Sequence, residues 1–244
     1  MKSYIIKIEL EESNPLIWRR VIMPAGATYR RLHDVIQTVT NFRSGYPRDG
    51  YHLYEFDLTK DKKIVTDHEE AYLEHQHYKK NKATYEKRLK SVPPEMLGFE
   101  KNALERLKIE VRKPTGLKID EYLEKYGEVR YAYDFGDGWR FTIKLEEIID
   151  DYYFGYPTLL AGEETAPPED VGGITGFYVF LKVYHDENHP EHQQMKMWAK
   201  SVYYREYDPD WINNILKGLN YKKTEWDKIN HDNYTIIEDK YRKS

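Results

Sequence analysis

The run VRYAYDFGDGWRFTIKLEEI, residues 129–148, constrains the fold more than any other part of the chain. Its two halves alternate apolar and polar residues with a period of two, and Asp-Phe-Gly-Asp-Gly joins them. That pattern predicts a β-hairpin with one face turned to a core. Two further alternating segments, SYIIKIEL and the strand in NPLIWRRVIMPAG, predict a second hairpin, and GYPRDGYHLYEFDL predicts a turn-rich loop and a fifth strand carrying His52, Tyr54 and Phe56 on one face. A sheet of about five strands, antiparallel or mixed, is therefore expected.

Helical periodicity supplies the second layer. Thr28 stands where it can cap a helix whose Leu32, Val35, Ile36 and Val39 share one face. After the proline- and glycine-rich stretch TAPPEDVGG, residues 165–173, three more helices are expected. Their apolar stripes are Ile174, Phe177, Tyr178, Leu181 and Tyr184, then Met195, Trp198 and Val202, then Ile212, Ile215, Leu216 and Leu219. Asn188 with Glu191 reads as a capping box for the second, and Asp208 before Pro209 as the cap of the third. Between residues 60 and 118 charge density rises and apolar residues thin out, so this segment reads as a charged, mostly helical insertion. The expected organisation is one α+β domain over residues 1–220 with a polar C-terminal tail over 221–244.

Composition narrows the chemistry. The 244 residues include no cysteine, which excludes disulfides, thiolate catalysis and sulfur-ligated zinc, and fits a reducing cytoplasm. The N-terminal apolar runs are broken by Lys7 and Glu9, so neither a signal peptide nor a membrane span is expected there. A net charge of −4 argues against whole-surface attraction to nucleic acid, and directs attention to local clusters. The one clear basic cluster is KKNKATYEKRLK, residues 79–90. Lys79, Lys80, Lys82 and Arg88, with Tyr78 and Tyr85 interleaved, suit either a phosphate backbone with stacked bases or a solvated helix face.

Five blocks in order, NPLIWRRVIMPAGATYRRLHDVIQ, HLYEF, YAYDFGDGW, APPEDVGG and HPEHQQMKMW, resemble the plasmid pRiA ORF-three-like family, also known through the TnpR passenger protein of an insertion element. The likeness spans roughly residues 4–58 and 120–219. It implies an α+β domain of antiparallel strands and helices, often encoded near mobile DNA, with no assigned biochemical activity. It also implies two departures: Ala166 stands where relatives commonly have cysteine, and Phe141 where they have histidine. The resolvase name does not carry a mechanism. Ser3, Ser13 and Ser44 lack the arginine-rich context of a serine recombinase, and no histidine has arginine three places on.

The candidate site residues fall into three groups. Asp134 and Asp137 lie at a hairpin end, and Glu169 and Asp170 lie on a loop stiffened by Pro167 and Pro168. If the two loops meet, these carboxylates suit a hard cation such as magnesium, manganese or calcium; the plainer alternative is that Asp137-Gly138 forms a turn and Asp170 caps the next helix. Gly172 and Gly173 can serve an anion nest or simply tight packing. His33 and His52 are candidate acid-base residues, and His185, His189 and His192 have ligand-like spacing, while His75 and His77 fall in the polar insertion. Arg19 and Arg20 are candidate binding residues. One of them should face inward and need a partner, for which Glu55, Asp134 or Glu169 are candidates.

Two readings of function follow: an interaction module with a protein or nucleic-acid partner, or a metal-dependent phosphodiesterase or nuclease using the acidic cluster with His33 or His52 as base.

Overall fold

The computed structural model describes residues 2–42, 52–152 and 156–219. The chain builds an α+β fold around one eight-stranded mixed sheet in the order β5-β4-β3-β6-β7-β1-β2-β8. The strands are β1 (Ser3–Leu10), β2 (Trp18–Pro24), β3 (Tyr54–Leu58), β4 (Lys63–Thr66), β5 (Glu110–Arg112), β6 (Glu128–Tyr133), β7 (Trp139–Ile149) and β8 (Thr158–Glu163). The helices are α1 (Tyr29–Val39), α2 (Glu69–Ser91), α3 (Gly98–Arg106), α4 (Asp120–Tyr126), α5 (Gly173–His185), α6 (His192–Ser201) and α7 (Pro209–Leu216). Both expected hairpins form: β1 pairs with β2 and β6 with β7, all antiparallel, and β1 also pairs with β7 to join them. Among the described strands only the β4–β5 pair is parallel.

Eight strands replace the expected five. The missed ones, β4, β5 and β8, have four, three and six residues, too few in two cases for alternation to register. The segment 60–118 is therefore not simply a helical insertion. Its helices α2 and α3 close on a small cluster of their own, Tyr78, Tyr85 and Ala103, but its two short strands extend the main sheet at one edge. The expected C-terminal tail and the GYPRDGY loop fall outside the described residues. Among the described residues no helix is long and apolar enough to cross a membrane.

The main core lies where α1, α4 and the C-terminal helices cover one face of the sheet, and it includes Tyr4, Ile6, Val21, Leu32, Ile36, Phe56, Tyr131, Phe141 and Phe177. Thr28 caps α1 by accepting from the Arg31 N–H, and Asp208 caps α7 from the Asp210 and Trp211 N–H groups. The Asn188 capping box does not form: α6 starts four residues later, at His192, with Glu191 at its cap position and no side-chain cap bond. In α5 the fully buried stripe is Phe177, Phe180 and Val183, displaced from the expected one, which leaves Ile174, Leu181 and Tyr184 at the core margin.

Arg19 is the inward arginine of β2 and is 2 % exposed. None of the acids expected as its partner reaches it. Its Nε donates to the Val39 carbonyl, Nη1 to those of Trp18 and Glu163, and Nη2 to that of Glu164, at 2.7–2.9 Å. The Tyr207 ring lies 4.1 Å from the guanidinium carbon. Backbone carbonyls satisfy four of the five donors of the fork without adding a charge, and although burial pushes its pKa down to about 10, the group stays charged at neutral pH. Arg20 faces outward and pairs with Glu146.

His33 is also a core residue. Its ring stacks on Tyr54 at 3.7 Å between centroids, and Nδ1 is 2.8 Å from the Tyr131 hydroxyl. Burial, helped by the nearby Arg30 charge, holds its pKa well below the ordinary value.

Two outcomes are expected. Arg19→Met strands those carbonyls and should lower unfolding stability by about 3–5 kcal/mol in urea titration, with Arg19→Lys intermediate because a point charge cannot serve a planar fork. His33, neutral when folded, protonates in the unfolded chain below about pH 6.5, so stability should fall as pH drops from that value, by at most about 1.4 kcal/mol per unit. His33→Gln should flatten that slope between pH 6.5 and 5; an unchanged slope would show that His33 is not its source.

Candidate functional site

Two loops and the start of one strand converge at the end of the β3–β6–β7 segment. Asp134 leaves β6 in a left-handed conformation, φ 49°, and its N–H donates to the Leu53 carbonyl at 3.0 Å, which holds His52 beside it. The Asp134 carboxylate is fixed by the Gly136 and Asp137 N–H groups, both donating to Oδ1. The hairpin loop then meets the TAPPEDVGG corner through Asp137, whose Oδ2 accepts from the Gly172 N–H at 3.1 Å. Asp137 is therefore engaged in joining the two loops, and the start of α5 receives no cap from Asp170.

The glycines of the corner serve positive φ and close approach. Gly172 and Gly173 adopt φ 87° and 69°, and a Cβ on Gly173 would lie 2.7 Å from the Asp137 carbonyl oxygen. A Cβ on Gly176 would lie 1.9 Å from the Val171 carbonyl oxygen. Only side-chain-free backbone lets the corner approach the hairpin this closely.

The result is that His52, Asp134 and Glu169 each present a ligand-type atom, all within 4.8 Å of one another. His52 Nδ1 is 3.4 Å from Asp134 Oδ1, and Nε2 is 3.8 Å from Glu169 Oε2 and 3.4 Å from Asp170 Oδ1. The three side chains are 20 %, 9 % and 13 % exposed, whereas that of Asp170 is 66 % exposed. Tyr133 donates its hydroxyl to Glu169 Oε1 at 2.7 Å, and its ring stands edge-on to His52. Asp134 and Glu169 face different nitrogens of the His52 ring and one ion takes only one of them, so a single divalent ion, whose ligands about 2.1 Å away lie about 3.0–3.5 Å apart, would be held once the three ligand atoms within 4.8 Å close in. The donor set, nitrogen plus carboxylate oxygen, accommodates manganese or zinc as readily as magnesium.

The remaining candidates are elsewhere. His33 is enclosed in the core and bonded to Tyr131, which removes it as a base at this centre. His185 ends α5, His189 sits in the following turn, and His192 is buried and bonded to the Val183 carbonyl. These three form no ligand cluster among the described residues. On α2, His75 is buried and His77 exposed; Tyr78 and Tyr85 are buried against Ala103 and so present no face to a base. Lys82 pairs with Glu86 and Arg88 with the buried Glu100, while Lys79 and Lys80 are exposed. Ala166 and Phe141 are both buried; the Ala166 carbonyl accepts from Asn41. The place of His52 between the acids and the loop-joining role of Asp137 are not separable by sequence, since both depend on which loops meet.

The chain is 28 % identical over 200 residues to the uncharacterized protein y4hQ of Sinorhizobium fredii, a match covering 82 % of this chain and 81 % of the relative. It is similar to the crystal structure of MM3350, a protein of unknown function from Methanosarcina mazei Go1, with a TM-score of 0.59 and 26 % identity, covering 86 % of this chain and 96 % of that one. The model of the plasmid pRiA4b ORF-3-like protein family matches residues 2–215, and the chain belongs to that family.

Proposed function

We propose that this protein binds one divalent metal ion through His52, Asp134 and Glu169, and that the centre serves metal-assisted hydrolysis. The observation that carries this reading is the convergence of a nitrogen and two carboxylates from three separate chain segments within 4.8 Å. Three protein ligands leave coordination positions for water and substrate, the arrangement of catalytic rather than closed structural sites. A bound ion would acidify a coordinated water and polarise an ester or phosphoester oxygen. The protein's own part is orientation: Tyr133 fixes Glu169, the Gly136 and Asp137 amides fix Asp134, and Asp170 faces the same His52 nitrogen as Glu169 from the solvent side. Phosphodiesters are the first substrates to screen.

The test is calorimetric titration of manganese and zinc into chelator-treated protein. One equivalent is expected to bind and to raise the unfolding temperature. Asp134→Asn and Glu169→Gln should abolish binding with the metal-free fold intact by circular dichroism. Tyr133→Phe, which removes only the orienting hydroxyl, should weaken it about tenfold. Gly173→Ala should weaken it too, by pushing the corner from the hairpin. No saturable binding by the parent protein, or undiminished binding by both carboxylate variants, would overturn the proposal.

A second reading rests on the exposed Lys79 and Lys80 of α2, with Lys82 and Arg88 beside them: contact with a nucleic-acid backbone, without base stacking. It predicts binding that weakens steeply with salt and is lost when these four are neutralised together; retention by the quadruple variant would sink it.

A further inference from the structure

A groove of about 480 Å³ runs between α5 and α6, with Asp170 among its lining residues. Its apolar lining includes Val179, Phe180, Met195 and Trp198, and both ionisable residues that line it, Asp170 and Glu191, are acids. Val179 is 58 % exposed, an unusual position for a branched apolar side chain on a helix that otherwise packs into the core. The volume is that of a small-molecule site, with apolar walls and few polar groups. Phe180 and Trp198 rings meet edge to face at 5.5 Å, which stiffens the wall, while the methionine supplies an adaptable surface.

We infer that this groove binds an apolar organic cation, its hydrocarbon or aromatic body lying on Val179, Phe180 and Met195 and its ammonium or guanidinium group facing Asp170 and Glu191. Charge selects the ligand. Two carboxylates and no Lys or Arg line the groove, so an anionic ligand would meet like charges and a neutral one would gain nothing from them. The Trp198 ring adds a favourable face for the cation. Asp170 belongs to both places, since its Oδ1 is 3.4 Å from His52 Nε2. A ligand's cationic head would therefore lie beside the His52–Asp134–Glu169 cluster. Occupancy of the groove does not rest on the metal reading.

The experiment is NMR titration of the full chain carrying 13C-methyl methionine, in excess chelator so that metal plays no part. The probes are 2-phenylethylamine, its neutral alcohol analogue 2-phenylethanol, and the anion phenylacetate. The Met195 methyl resonance, assigned by Met195→Leu, should shift saturably with the amine and much less with the other two. Asp170→Asn and Glu191→Gln, both at exposed carboxylates, should each weaken the amine by up to about fivefold, the scale of a surface ion pair. Val179→Lys, which puts a cation at the mouth, should abolish it without unfolding the helix. No saturable shift of Met195, equal response to alcohol or acid, or amine binding unchanged in the Asp170→Asn/Glu191→Gln double variant would each overturn the inference. A response confined to cationic apolar peptides and absent for the amine would do so as well, because it would make the groove a peptide-docking surface.

Discussion

The buried Arg19 guanidinium ties the end of α1 to the sheet neighbours β2 and β8. It sits in β2, yet its donors end on the carbonyl of Val39 at the end of α1 and on those of Glu163 and Glu164 where β8 gives way to the corner. Asn41 extends the same device, donating to the carbonyls of Ala166 and Arg205, and Arg205 returns a bond to the Thr40 carbonyl. Buried carbonyls at helix and strand ends must be satisfied, and here three side chains satisfy them across layers. Because this network fixes residues 163–166, the prolines and glycines that follow deliver Glu169 to one place.

The hairpin completes the geometry from the opposite side. A glycine-rich turn puts Asp134 in a left-handed conformation, and Asp137 docks on the Gly172 amide. The tyrosines, used 23 times in the chain, explain why so polar a sequence can surround such a site. Tyr131 and Tyr133 bury their rings and spend their hydroxyls inward, one on His33 and Gln37, the other on Glu169. Three mostly buried ionisable side chains are thus held within 4.8 Å of one another.

Much of the fold is legible in the sequence where local chemistry and tertiary structure agree. The β6–β7 pair shows itself through alternation and the Asp-Gly turn, α1 through Thr28 and its stripe, and α7 through Asp208-Pro209. Strands β4 and β5 do not, because three or four residues paired at a sheet edge draw their stability from the neighbour rather than from their own pattern. Arg19 was legible as a buried charge but not in its partners, since carbonyls carry no sequence signal. Of the site, Asp134 and Glu169 could be named from loop chemistry. His33 and His52, alike as candidate acid-base residues in the sequence, are separated by packing: the helix residue is enclosed among aromatic rings, and the strand-entry residue lies between acids. Asn188 and Glu191 show the converse failure, a correct local motif overruled by a turn through Asp186.

The most direct test of the centre is pulsed electron paramagnetic resonance of the manganese-loaded protein, which counts coordinated imidazole nitrogens without reference to activity. A single histidine nitrogen coupling, present in the parent protein and in His192→Gln and absent in His52→Ala, is the result that a centre built on His52, Asp134 and Glu169 predicts. Manganese bound with no nitrogen coupling, or with a coupling that survives His52→Ala, would contradict it.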